Sequence, residues 1–106
     1  MKLRHDVDGE VVRVRIEGEL DATSCTCLEN FWTLQVERHA VIDVDLAEAD
    51  AGDGRGVAVL AALVRDSVRD GRRVVLRHAP QMLAHTLYKV GLAGVLVDPR
   101  EEEPYG

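Results

Sequence analysis

Aromatic side chains are scarce in this chain of 106 residues, which holds one Trp, one Phe and two Tyr. A core with so few large rings has to be filled by Val, Leu, Ile and Ala, so the spacing of those residues carries the fold. Cysteine is scarcer still, at two residues, Cys25 and Cys27. They stand too close for an ordinary stabilising bridge and point to different sides of a helix. That excludes a disulfide scaffold and predicts free thiols in a reducing compartment, the cytoplasm. No two of His5, His39, His78 and His85 are four residues apart, so a helical zinc site is excluded and no metal or other cofactor is expected. Positive charge is also short, with 13 basic against 19 acidic residues and a net charge of -6. Apart from Arg72-Arg73 the basic residues are scattered, which excludes the footprint of a nucleic-acid binder. No stretch approaches the ~20 apolar residues of a membrane span, and Met1 is followed by Lys2-Leu3-Arg4-His5-Asp6 rather than an apolar leader, so direct membrane insertion is not expected. No Ser-His-Asp or Cys-His grouping can be assembled, and Asp43 with Asp45 is the solvated side of a strand, so the chain is not expected to be an enzyme.

What is present is a regular alternation of short apolar segments. In Val11-Val12-Arg13-Val14-Arg15-Ile16 the residues Val12, Val14 and Ile16 share one face and Arg13 and Arg15 the other, the pattern of a half-buried strand. Asp8-Gly9 ahead of it has hairpin chemistry and makes Leu3–Val7 an antiparallel edge strand. Asp21, Thr23 or Ser24 supplies the cap of a first helix over about 23–38, with Cys25, Leu28, Phe31 and Trp32 toward the sheet. Val41-Ile42-Asp43-Val44-Asp45-Leu46 repeats the strand pattern, and adjacency of the two strands would let Arg13 and Arg15 pair with Asp43 and Asp45 on a lightly covered polar face. A second helix over about 56–70 buries Val57, Leu60, Ala61, Val64 and Val68, leaving Val59 and Leu63 as an exposed apolar pair. Gly71 ends it, and Arg72–Arg77 is a third parallel strand. Pro80 opens a third helix that buries Leu83, Leu87 and Val90, Gly91 stops it, and Val95-Leu96-Val97 forms a last strand. The whole is one α/β domain over 1–98, with a mixed, mainly parallel sheet of four or five strands and about three helices mostly on one face. An acidic, unfolded tail is expected over 99–106.

The feature of greatest functional interest is Gly52-Asp53-Gly54-Arg55-Gly56, at the switch from strand to second helix. Glycines ahead of a helix suit close approach of an anion, yet the loop lacks the Lys-Ser/Thr of a P-loop and does not follow the first strand as a dinucleotide fingerprint should. Its simplest role is a tight turn with Asp53 capping the helix. Serine and threonine are absent from the whole span between Thr33 and Ser67.

Five blocks, in order, carry a family resemblance that runs from about Val7 to Val97. They are Gly18-Glu19-Leu20-Asp21, Val41–Leu46, Asp53-Gly54-Arg55-Gly56-Val57-Ala58-Val59-Leu60, Asp70-Gly71-Arg72-Arg73-Val74-Val75-Leu76 and Gly91-Leu92. Together the chain resembles the STAS domain of anti-sigma factor antagonists. The resemblance implies a non-enzymatic binding module whose loop and second helix dock on an anti-sigma factor kinase, which phosphorylates a hydroxyl in an Asp-Ser-Ser/Thr-Gly motif. By that match Asp53 is the motif aspartate, Gly56 its glycine and Gly54 the phosphoacceptor position, so the phosphorylation switch is lost. The partner surface implied is Asp21, Asp53, Gly54, Arg55, Gly56, Val59 and Leu63. A second resemblance, in Ala79–Leu92, is to small STAS subunits that sit on the ATPase of phospholipid-transport ABC systems. Ligand or nucleotide binding at the glycine loop is the third reading.

Overall fold

The computed structural model describes residues 1–97, and the tail expected over 99–106 lies outside the described residues. Its sheet begins with a hairpin of β1 (Lys2–Asp8) and β2 (Val11–Glu19), paired antiparallel from Lys2–Glu17 to Asp8–Val11. Gly9, at φ +61°, takes the first place of the two-residue turn, where a side chain would be strained. Next comes β3 (Val41–Asp45), parallel to β2. The short β4 (Ala49–Asp50), which the alternation pattern did not reveal, extends the partnership of β2 past the end of β3, through Gly18–Ala49 and Glu19–Asp50. Last is β5 (Arg73–Arg77), parallel to β3. The result is a five-stranded mixed sheet in the order β1-β2-β3-β5 with β4 beside β2.

Strand alternation sorts the sheet residues into two populations, as expected. Val12, Val14, Ile16, Ile42, Val44, Leu46, Val74 and Leu76 join one core with the helices, while Arg13 and Arg15 are exposed on the other face. The helices are α1 (Cys25–Phe31), α2 (Arg55–Arg69) and α3 (Gln81–Lys89). The single expected first helix is composite: a 3₁₀ turn at Ala22–Ser24, then α1, then a wide π turn at Trp32–Val36 closed by the Glu37 amide on the Trp32 carbonyl at 2.9 Å. Leu28, Trp32 and Val36 are all buried, whereas Phe31 and Cys25 are half-buried. Trp32 donates its indole N–H to Ser67 Oγ of α2 at 3.0 Å. Both groups are buried, and leaving that indole without a partner would cost ~1–3 kcal/mol.

Four expectations are corrected. Val59 and Leu63 are half-buried and packed against the core, because α2 lies against both α1 and α3 and therefore buries a wider stripe than one sheet contact requires. Val90 is 56% exposed. The chain leaves α3 through a Schellman turn, with Gly91 at φ +79°, Gly91 N–H on Tyr88 O at 3.2 Å and Leu92 N–H on Leu87 O at 2.8 Å, and this carries Leu92 rather than Val90 onto the core. Val95–Val97 is not a strand: Ala93–Val95 is a 3₁₀ turn, followed by one parallel bridge from Leu96 to Leu76. Pro80 is the residue just before α3 rather than its first. No helix among the described residues is long and apolar enough to cross a membrane.

Candidate functional site

Two chain reversals meet at the carboxyl end of the central strands. In the first, β2 runs out through Gly18, whose φ of +98° and amide bond to Glu48 O at 2.9 Å turn the chain over β4, and Leu20 N–H then donates to Asp50 O at 2.8 Å. Asp21 follows as the cap of the 3₁₀ turn. Its Oδ1 accepts from the Ser24 amide at 3.0 Å, from Ser24 Oγ at 2.8 Å and from Thr23 Oγ1 at 2.8 Å. The hydroxyls of Thr23 and Ser24 are the main reason its carboxyl titrates below the usual aspartate value.

The second reversal is the glycine loop. Gly52 (φ +60°) and Gly54 (φ +88°) both sit in the left-handed region, and the Gly54 amide closes a turn on Ala51 O at 3.2 Å. Gly56 has a different task. Its amide donates to Leu20 O at 3.1 Å, and a Cβ there would fall 2.2 Å from the same oxygen, so only glycine lets the start of α2 lie on the first reversal. The pre-helix aspartate acts as expected, Asp53 Oδ1 accepting from the Arg55 amide at 3.0 Å. With the first two amides of α2 committed to Asp53 and Leu20, the loop has given up donors that a phosphate would need. Arg55 places a cation at the positive end of α2. Asp53, with Oδ2 4.0 Å from Arg55 Nε, offsets it, and the side chains of Arg55 and Asp53 are 76% and 52% exposed.

Of the seven residues expected to form the partner surface, Asp21, Asp53, Gly54 and Arg55 thus border one another at the surface around the two reversals. Gly56 is buried beneath them, and Val59 and Leu63 belong to the packing of α2. Sequence reasoning missed Met82. It lies in the first turn of α3, is 46% exposed, and brings its Sδ to 3.2 Å from where a Cβ on Gly54 would stand. The signal available was Met82 at one position before the buried Leu83, hence off the core stripe of a helix opened by Pro80. From Met82 the outer face of α3 continues through His85 to Tyr88, which is 73% exposed, along a shallow depression.

A second polar region is the open face of the sheet, a depression of about 540 Å³. The register sets Arg13 beside Asp43 and Arg15 beside Asp45, as expected. The ion pairs formed are different, because Arg77 on β5 supplies a competing guanidinium. Arg77 Nε donates to Asp43 Oδ1 at 3.0 Å and Asp45 Oδ1 meets His78 Nδ1 at 3.2 Å, while Arg13 lies 3.5 Å from Asp8 and Arg15 3.3 Å from Glu17. Burial raises the Asp45 carboxyl, but the Ala47 amide, His78 and Arg15 outweigh it and hold the group below the usual range. Among the described residues no group of three or more His, Cys, Asp or Glu side chains is arranged to hold a metal ion, and both cysteines are free thiols.

Comparison with known proteins places this geometry in context. The family model described as "Mlab, STAS domain" matches residues 3–98. The phosphorylated form of the Bacillus cell fate determinant SpoIIAA superposes with a TM-score of 0.74 at 19% identity, over 95% of this chain and 94% of that one. The unphosphorylated form of SpoIIAA, an anti-sigma factor antagonist, gives 0.69 at 19% identity, over 95% and 90%. The Thermotoga maritima protein TM1081 gives 0.68 at 13% identity, over 96% and 85%. At these identities the likeness is one of fold. No curated protein sequence matches the chain.

Proposed function

The chain belongs to the STAS family, and we propose that it is a non-enzymatic regulatory protein-binding module, an anti-sigma factor antagonist or related partner-switch protein that lacks the usual phosphoacceptor. One observation carries this reading. Gly54, in the phosphoacceptor position by resemblance, has a φ of +88° and faces Met82 Sδ, so the loop is built around a residue with no side chain. The hydroxyl nearest in sequence after it, Ser67, is buried and holds Trp32. A phosphate added at such a loop would bring about -2 of charge into the contact. Here that means of release is missing, and Asp53, Arg55, Asp21 and Met82 form a surface that stays available to its partner, an anti-sigma factor kinase. The deciding experiment is to incubate the protein with the cognate kinase and ATP. Stable complex formation with no phosphate on residues 49–60 by mass spectrometry is expected, with Arg55→Glu and Met82→Asp each abolishing recovery of the kinase. Phosphate in that window, or recovery that ignores both substitutions, refutes the reading.

A second reading is a STAS subunit that regulates the ATPase of a phospholipid-transport ABC system. It is favoured by the exposed Met82, His85 and Tyr88 face of α3, which falls inside the Ala79–Leu92 resemblance, and by a family description that carries the name Mlab rather than that of an anti-sigma factor antagonist. Retention of an ABC ATPase in place of a kinase, lost on Tyr88→Asp, distinguishes the two. Nucleotide binding at the glycine loop is the least supported, since its helix-start amides are taken internally.

A further inference from the structure

The outer edge of the sheet is β1, which among the described residues has a strand on one side only. A two-residue turn closes on a hydrogen-bonded pair, here Asp8 and Val11. Alternation then directs the amides and carbonyls of Asp8, Asp6, Arg4 and Lys2 toward β2, and those of Val7, His5 and Leu3 outward to the free edge. Side chains alternate in step. Lys2, Arg4, Asp6 and Asp8 stand on the open face, whereas Leu3 packs on the core and His5 meets Phe31 edge-on at 5.4 Å on the helix side.

Lys2-Leu3-Arg4-His5-Asp6-Val7-Asp8 is complementary to its own reverse about His5: Lys2 meets Asp8, Leu3 meets Val7 and Arg4 meets Asp6. We propose that β1 pairs antiparallel with β1 of a second copy of this chain, about a two-fold axis at His5, to give one continuous sheet. In that register Leu3, His5 and Val7 form the hydrogen-bonded pairs. Arg4 with Asp6 of the second copy, and Lys2 with Asp8 of the second copy, take the sites where opposed side chains come closest. The charges also reject the alternatives. Moving the axis to Arg4 sets Arg4 on Arg4, moving it to Asp6 sets Asp6 on Asp6, and in-register parallel pairing stacks every charge on its like. Charged edge strands usually discourage pairing; this one sets four opposite-charge pairs and no like pair in a single antiparallel register, whereas moving the axis to Arg4 or Asp6 leaves two opposite-charge pairs and adds a like pair.

Within the protomer, the ion pairs Arg4–Glu17 at 3.8 Å and Arg13–Asp8 at 3.5 Å are long and exposed, and no ion pair among the described residues holds Lys2 or Asp6. A two-fold axis perpendicular to the sheet keeps both helix layers on the same side. Val7, 48% exposed, and Leu34, 63% exposed beside Leu3 and Phe31, then gain apolar cover at the seam.

Sedimentation equilibrium of the full chain from micromolar to millimolar concentration tests this, with circular dichroism confirming that each variant folds. The wild type is expected to dimerise. Asp6→Arg, which creates two Arg–Arg contacts across the seam, should weaken the dimer about tenfold or more, and Arg4→Asp/Asp6→Arg should restore it. In a Cys25→Ser/Cys27→Ser background, His5→Cys should form an intermolecular disulfide on mild oxidation, because a hydrogen-bonded antiparallel pair sits at about 5.5 Å between Cα atoms, within bridging range. A monomer throughout, a dimer indifferent to the charge reversal, or failure of the His5→Cys variant to crosslink would each overturn the proposal.

Discussion

The starts of α1 and α2 lie side by side and are held by opposite means. The 3₁₀ turn that leads into α1 is tied by side chains: Asp21 gathers the Ser24 amide and the hydroxyls of Thr23 and Ser24 on one oxygen. The start of α2 is tied chiefly by backbone, the Gly56 amide resting on the Leu20 carbonyl with no space for a Cβ. A helix anchored by main-chain contact leaves its first side chains outward, and Arg55 with Asp53 is what α2 presents. The two reversals thus differ in where their rigidity comes from, side chains in one and main chain in the other, while both border the proposed partner surface.

The sharpest way to break this contrast is Gly56→Ala. The added methyl would overlap a main-chain oxygen that no side-chain rotation can move, so a loss of about 3 kcal/mol or more is expected in urea denaturation, together with loss of partner binding. Gly54→Ser comes next. It forces a side chain into the left-handed region at a cost of about 1–2 kcal/mol, while the flexible end of Met82 gives way, so restoring the hydroxyl destabilises the domain before it restores any switch. Asp21→Ala has a smaller effect, and a pH-dependent one. Because the folded-state pKa lies below the ordinary 3.8, the stabilisation is fully present above that value and is lost as pH falls through the lower folded pKa. The gap between wild-type and variant denaturation midpoints should therefore be constant near neutrality and close under strongly acidic conditions. Smallest of all for stability is Arg55→Ala, within about 0.5 kcal/mol, since it removes an exposed cation from a helix start; its effect should appear in partner binding alone. A stability loss for Arg55→Ala as large as that for Gly56→Ala would end the contrast.

Much of this arrangement is legible in the sequence because strand alternation is a local code. Val12-Arg13-Val14-Arg15-Ile16 and Ile42-Asp43-Val44-Asp45-Leu46 announce both faces of the sheet and the Arg13–Asp43 register. Glycine punctuation marks the ends of α2 and α3. Helix faces are harder. A stripe drawn for one contact says nothing of a third neighbour, so the spacing assigns Val59 and Leu63 to solvent although α1 and α3 flank α2 on both sides. Val90 fails for a related reason, as the Schellman turn reassigns the last core position to the residue after Gly91. The functional loop is visible by composition, but the part played by Met82 depends on how α3 approaches Gly54, a distance between elements that no local pattern encodes.

The sole tryptophan has a practical consequence. Trp32 is fully enclosed, its indole N–H bound to Ser67 across the contact between the first helical segment and α2. The protein therefore carries one intrinsic indole fluorophore with one environment, and its emission should shift red in a single step when that contact opens. Since Trp32 is buried in the core and the loop residues are exposed, the signal should respond to unfolding and stay steady when only the loop is altered. The Trp32 emission then reports on folding alone, free of interference from docking at the loop, in an unlabelled sample.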